Sequence, residues 1–451
     1  MSASGKHGHS EKKRIRLAKW HLVALVMLLA VTAGGSSYLF FPRAAAMPVA
    51  DRLSLSPGVF KAPDLASLLG EGYGSSYAAP QAPVVIGSAK ASMPKRKPKP
   101  KHSPHPTASP TTPPASGGSS VDAAGLGIYD GMSSPDGIET AASWLGSSSS
   151  IKYAMDFIDA TSWSSISNPW QLSNWEGSPY TMVWGVPMVP CGGPSTQCST
   201  NVSDFNEVAD GGADGYFTTL AKNLVSAGFG SSYIRLGWEF NGTWMGWSIC
   251  NQDGSGLTSW ASDFVPAYQN IVTSMRSVSG ANFKFIWNPL DSSNVSCPGA
   301  NLENFYPGNS YVDMVALDVY DGIGAATSSD ATRWTDLLDG VNAGGWTAVR
   351  PAAINGQNLE GYGLNWLAAF GEENNKEIGL PEWGLDDSSM DAGGGDDPYF
   401  VTQMADWIKA NATGPAIFWN DGGGTLQLNI PNYTSDGTPN ATAAFKAAFG
   451  N

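Results

Sequence analysis

The sequence is short of histidine, of cysteine, and of basic residues beyond its first quarter. All five His stand at positions 7, 9, 21, 102 and 105. Their absence after that excludes a Ser/His/Asp hydrolase and a His-based metal site from the rest of the chain. Of the 25 Lys+Arg in 451 residues, 15 lie in residues 1–118 beside 4 Asp+Glu. Residues 119–451 therefore hold 10 basic against 35 acidic residues, a net charge of −25. Binding phosphate needs clustered Lys/Arg, so nucleic acid and anionic lipid are excluded as partners of this part, and a neutral ligand suits it. The four cysteines, Cys191, Cys198, Cys250 and Cys297, show no CxxC spacing and so no paired-thiolate metal motif.

The break in charge is itself a domain boundary. Residues 1–47 read as a basic cytoplasmic stub followed by a signal peptide or signal anchor. Lys12–Lys19 is basic, and Leu22–Phe41 is an uncharged, mostly apolar run. As a helix it would span about 30 Å, enough to cross a bilayer. Basic residues before such a span leave the N-terminus inside and export the chain beyond the span. Cleavage near Ala44-Ala45-Ala46 would release the product; retention would anchor it to the plasma membrane. Either way the remainder is expected outside the cell. Residues 48–118 read as disordered chain ending in a Pro/Ser/Thr/Lys linker, because Pro-rich segments stay extended and build no core. Disulfides persist outside the cell. Four cysteines allow three connectivities, of which Cys191–Cys198 with Cys250–Cys297 is expected here.

Residues 119–451 are long enough for one α/β barrel. They repeat a short apolar run, a polar loop and a helical segment. The runs are Leu126–Tyr129, Tyr153–Ile158, Thr181–Val189, Tyr233–Trp238, Phe283–Trp287, Met314–Val319, Glu377–Pro381 and Ala416–Trp419. Tyr216–Ala227, Phe264–Ser277 and Tyr399–Ala410 carry the clearest helical period between them. Apolar strands separated by helices imply a parallel sheet buried on both faces, and eight such units predict a closed (β/α)8 TIM barrel.

In that fold the chemistry sits where strands end. The residues there include Asp130, Asp156, Asp159, Trp184, Glu239, Trp287, Asn288, Asp318, Tyr320, Glu382, Trp419 and Asn420. Carboxylates, amides and aromatics suit a sugar cleft, since aromatic faces are flat apolar platforms. The competing structural readings are that Trp184, Trp238 and Trp287 are core and that the Asp residues after the first two runs accept loop N–H groups. Glu239 ends the fourth run, beside Arg235, and Glu382 ends the seventh. Strands four and seven face each other across a closed barrel, so two carboxyl groups 143 positions apart converge at one mouth. A carboxyl pair flanking one bond is the equipment of glycoside hydrolysis.

These segments resemble the active-site strands of clan A glycoside hydrolases, most closely glycoside hydrolase family 26, the β-mannanase family. The resemblance is carried by Arg235, Glu239, Asn241-Gly242, Trp244, Asp318-Val319-Tyr320, Glu382-Trp383-Gly384 and Trp419. It implies a retaining enzyme, needing no metal or other cofactor, with Glu239 as acid/base and Glu382 as nucleophile. It further implies that Tyr320 bonds the nucleophile, that Arg235 lies beneath the site, and that Trp244 and Trp419 line subsites. Trp238, Asn241, Asn288 and Asp318 complete the expected substrate-binding set. The family pattern has His directly before the acid/base, where this chain has Trp238. The implied substrate is therefore a β-linked polysaccharide broadly, β-mannan or a related β-glucan or xylan, acted on by a monomer. Two alternatives remain at this point: a non-catalytic carbohydrate-binding barrel on the cell surface, and a protein that processes the cell's own exopolysaccharide.

Overall fold

A computed structural model describes residues 125–450, apart from 147–150, 192–201, 292–296, 298–299, 322–329, 342–353, 355–358, 360, 388–392, 422–424 and 431–435. The expected stub, signal segment and linker (1–118) lie outside the described residues.

Eight apolar runs become eight strands: β1 Leu126–Tyr129, β2 Ile151–Phe157, β3 Thr181–Val186, β4 Tyr233–Leu236, β5 Lys284–Trp287, β6 Met314–Tyr320, β7 Glu377–Asp386 and β8 Ala416–Trp419. Each pairs in parallel with the next, and β8 pairs with β1, so the sheet closes into the predicted barrel. A two-residue strand, β9 Thr425–Leu426, adds antiparallel to the far end of β7.

Helices follow the strands and cover the outside. They are α1 Pro135–Leu145, α2 Trp163–Ser167, α3 Leu172–Trp175, α4 Val202–Ala209, α5 Asp214–Ser226, α6 Phe264–Arg276, α7 Asp330–Asp339, α8 Leu364–Asn374, α9 Pro398–Asn411 and α10 Pro439–Phe449. Local chemistry sets their ends. Asp397 caps α9 by accepting from the Tyr399 and Phe400 backbone N–H groups, and Pro398 at the first position loses no bond there.

Strand side chains alternate between two faces. One set fills the lumen: Tyr129, Met155, Val183, Tyr233, Ile286, Met314, Ala316, Ile417 and Trp419. Their neighbours, such as Ile128, Trp184, Ile234, Trp287, Leu317 and Phe418, join the larger core between sheet and helices. Trp184 and Trp287 are fully buried there, which decides for the core reading of both.

β7 runs past Pro381 to Asp386, so Glu382 stands within a strand rather than after one. Proline donates no ladder bond. Accordingly the register of β7 against β8 shifts between Leu380 and Trp383, and the strand then resumes. Cys250 and Cys297 are bonded as expected. Cys191 is also disulfide-bonded; Cys198 lies outside the described residues.

Candidate active site

The lumen face of β4 carries Tyr233 and Arg235, and that of β6 carries Asp318 and Tyr320. Arg235 is fully buried and lies at the centre of the mouth. Its Nη1 donates to Glu382 Oε2 at 2.7 Å, its Nη2 donates to Asp318 Oδ2, and its Nε donates to Asn288 Oδ1 at 2.5 Å. Phe157 and Trp238 face its guanidinium from 5.7 and 5.6 Å. A buried charge is costly unless it is paired and bonded, and here each donor direction has a partner.

After β4 the chain turns sharply. Gly237 has φ 56°, and a Cβ there would lie 2.4 Å from Met188 Sδ. Glu239 itself has φ 50°, a left-handed conformation that non-glycine residues rarely adopt. Its backbone N–H donates to the Asn288 carbonyl at 2.8 Å, which holds the turn. Strain kept at such a position marks a site whose surroundings over-determine it. The turn swings the Glu239 carboxyl back over the lumen, where Trp244 Nε1 donates to its Oε2 at 2.9 Å.

Glu382 receives a second donor, the Tyr320 hydroxyl, at 2.6 Å from Oε1. Thus both its oxygens are bonded, one of them to a cation. One oxygen from each of Glu239, Asp318 and Glu382 lies within 4.8 Å of the others. Three such carboxylates have the spacing of a cation-binding set, yet Arg235 already bonds two of them and supplies the counter-charge. Burial pushes the Glu239 carboxyl up to about 7, helped by the Glu382 charge and opposed by Arg235. Glu239 therefore keeps its proton up to about neutrality, while Glu382 has an arginine beside it. Paired carboxyl groups in such unlike environments are suited to acid and nucleophile roles.

Trp419 and Tyr129 stack at 4.1 Å in the lumen, and Phe157 packs against both. Trp238 contacts Phe157 and Trp247 at 5.0 and 4.5 Å, and its backbone carbonyl accepts from Trp247 Nε1.

Asn241, Asn288 and Asp318, all expected to bind substrate, are bonded to other parts of the protein. Asn241 is buried, and its amide clasps Leu290 by donating to the carbonyl and accepting from the N–H, 2.8 and 2.7 Å. It joins the loops after β4 and β5. Asn288 is also buried; its Oδ1 accepts from Arg235 and its Nδ2 donates to Asp318 Oδ1 at 3.2 Å. It orients the arginine from beneath. Asp318 likewise lies wholly buried under the two glutamates. Asp156 accepts from Ser133, the Phe157 N–H and Trp175 Nε1, and Asp159 accepts from the Thr161 N–H, as the loop reading expected. Tyr129 and Phe157 were missed, although alternation along β1 and β2 assigns both to the lumen with Met155.

Fold and site together define a class: a (β/α)8 barrel with a carboxyl pair and an aromatic wall at the C-terminal ends of its strands. Residues 219–357 match the sequence model of glycosyl hydrolase family 26. That segment holds Arg235, Glu239, Asp318 and Tyr320. The match bears out the family resemblance over this segment, which is under a third of the chain and stops before Glu382, and the class it indicates is a glycoside hydrolase.

Among curated proteins, Endoglucanase H of Acetivibrio thermocellus is 28% identical over 128 residues, 28% of this chain. The aligned stretch is only 13% of that protein's length. Among solved structures, GH26C from Muricauda sp. MAR_2010_75 is 14% identical, with 72% of this chain and 86% of that one covered and a TM-score of 0.47. The catalytic domain of the GH26 endo-beta-1,4-mannanase of Bacillus sp. JAMB-750 is 16% identical, with 73% and 87% covered and a TM-score of 0.47.

Proposed function

We propose that this protein hydrolyses a β-linked polysaccharide with retention of anomeric configuration, Glu382 acting as nucleophile and Glu239 as acid/base. The observation that carries the reading is the approach of the two glutamates, oxygen to oxygen within 4.8 Å. A separation of about 5 Å suits a covalent intermediate, whereas inversion needs a wider gap that admits a water between them. Glu382 attacks the anomeric carbon as the glycosidic C–O bond breaks, and the Glu239 proton passes to the leaving oxygen. In the second step Glu239 takes a proton from water, whose oxygen displaces Glu382 from the anomeric carbon. Tyr320 and Arg235 hold the nucleophile in line. Trp244 fixes the Glu239 carboxyl, and Trp238 and Trp419 form an apolar wall suited to sugar C–H faces.

The substrate class is β-mannan or a related β-glucan or xylan. Trp238 fills the position beside Glu239 with an indole packed over Arg235, and this favours the broad class over mannan alone. We further propose export, with the basic stub inside, the apolar segment cleaved or retained as an anchor, and the linker tethering the barrel outside the membrane. Immunoblots of membrane and medium fractions test the last point: product wholly in the medium removes the anchor.

The mechanism is tested with Glu382→Ala on a panel of mannan, mixed-linkage glucan and xylan. Turnover should vanish, and azide should restore part of it with an inverted glycosyl azide as product. Wild-type turnover in that variant would remove the mechanism, and binding without hydrolysis by the unmodified protein would favour a carbohydrate-binding barrel.

A further inference from the structure

Most large aromatic side chains among the described residues are buried, but Trp170 is 52% exposed and Tyr216 is 39% exposed. Both stand on one flank. Trp163 at the start of α2 stacks on Tyr216 near the start of α5, with centroids 4.9 Å apart and planes at 9°. At the other end of α2, Asn223 Nδ2 of α5 donates to the Ser167 carbonyl at 2.8 Å and to Asn168 Oδ1 at 3.2 Å. The two helices therefore run side by side in the same direction. Trp170 follows directly on this line, where Asn168, Trp170, Ser173, Glu176, Asn223 and Ser226 line a groove of about 420 Å³.

Tyr216 and Asn223 are seven residues apart and share one face of α5, about 10 Å along its axis. Helices of this barrel return from the C-terminal ends of the strands. The line of aromatics and amides thus runs along the outer layer, from the mouth side of the barrel toward its opposite end.

We propose that this flank is a second glycan-binding site, holding a further stretch of the same neutral β-linked chain whose bond the mouth cleaves. The inference rests on the reading of the mouth as acting on a polymeric glycan. A bare indole face in water is an unsatisfied apolar platform, and sugar rings present C–H faces that fit it. Asn223 Oδ1, the Ser226 hydroxyl and the Glu176 carboxylate around it offer partners to sugar hydroxyls, while the amide N–H groups of Asn168 and Asn223 bond within and between the two helices. No basic residue lines the groove, so an anionic ligand has no counter-charge there. A protein partner needs roughly 800 Å² a side with a clustered apolar centre, and here one large exposed ring stands beside Pro169, Ala227 and the buried Leu172 among small polar groups.

The test uses the full chain in the inactive Glu382→Ala background. Native electrophoresis is run through gels containing whichever soluble β-glycan the wild type hydrolyses. Adding Trp170→Ala should weaken retardation about three- to tenfold, the loss of one stacking contact, and Trp170→Tyr should restore part of it. In the active protein Trp170→Ala should raise KM on the polymer by a similar factor. Its kcat/KM on the shortest cleaved oligosaccharide should stay within about twofold. Equal retardation with and without Trp170 would overturn the inference. An equal loss on polymer and oligosaccharide would do the same, as would a change in sedimentation of the ligand-free protein, which would mark the flank as a self-association face. Failure of the wild type to cleave any β-glycan would instead strike the proposed function itself.

Discussion

Among the described residues two arginines lie buried among carboxylates, and they serve opposite ends. Arg235 sits in the lumen and binds Asp318 and Glu382. Arg333, on α7, binds Asp321 just after β6, Asp330 one turn back along its own helix, and Asp397 at the cap of α9. The chemistry is the same in kind, though the Arg333 cluster is less buried, with Asp330 largely exposed. What differs is where the carboxylates lead. Around Arg333 they belong to chain ends and a helix cap, so the cluster ties three segments of the outer layer together. Around Arg235 one of them, Glu382, stands at the mouth facing a second glutamate that no cation bonds directly. A buried ion cluster is thus a clamp or a reaction centre according to whether one of its carboxylates faces a further carboxyl that the cation leaves unbonded.

Substitutions should separate the two. Glu382→Ala should lower turnover by on the order of 10⁴-fold or more while leaving the fold intact, because it removes the attacking atom. Arg333→Met should do the reverse. It strands Asp321 and Asp397 without their cation, a loss of about 3 kcal/mol, with kcat/KM per folded molecule within about twofold of wild type. Denaturant unfolding measured beside activity checks both. A catalytic loss in Arg333→Met that exceeds its unfolded fraction would break the contrast.

Tyr320→Phe tests the mouth more finely. It deletes the 2.6 Å bond to Glu382 and leaves Arg235 in place. A hydrogen bond to a charged group contributes about 1.5–3 kcal/mol, so kcat should fall at least about tenfold. An unchanged kcat would reduce Tyr320 to a packed aromatic.

The barrel was legible because its strands are apolar runs and its helices keep a 3.6-residue period, both consequences of burial against two neighbours. Glu239 was legible as a carboxylate at a strand end beside an arginine. The course of β7 was not, because Pro381 reads as a stop and the register shift that carries the strand past it is a property of the neighbouring strand. Asn241 and Asn288 were expected at the site, but the bonds they make within the protein were not legible. An amide that clasps a loop and one that grips a sugar have the same letter, and only the position of Leu290 and Arg235 tells them apart. The Arg333 cluster left no signal, since its partners come from segments up to 64 residues away. The strained turn at Glu239 was equally hidden, because glutamate carries no mark of a positive φ.

That turn and the carboxyl it carries sharpen the comparison from the side of stability, with the smallest expected change in the measured quantity. Glu239 is raised to about 7 in the folded protein against 4.5 for a free glutamate, first by burial and then by the Glu382 charge. A raised carboxyl favours the protonated folded form. Its contribution to stability is therefore complete below about pH 4.5 and is lost as pH rises through about 7. Glu239→Gln keeps an oxygen to accept from Trp244 and removes the ionisation. The variant should accordingly match the wild type in Tm near pH 4.5 and exceed it by several degrees near pH 8, where ionised Glu239 costs the native protein on the order of 3 kcal/mol. Other buried carboxyls such as Asp156 and Asp321 titrate in both proteins, so the difference isolates the mouth. Wild-type kcat/KM should fall over the same interval, as the acid loses its proton. A Tm difference that stays flat or narrows with rising pH would mean that Glu239 is already ionised at low pH, and the general acid would have to be sought elsewhere.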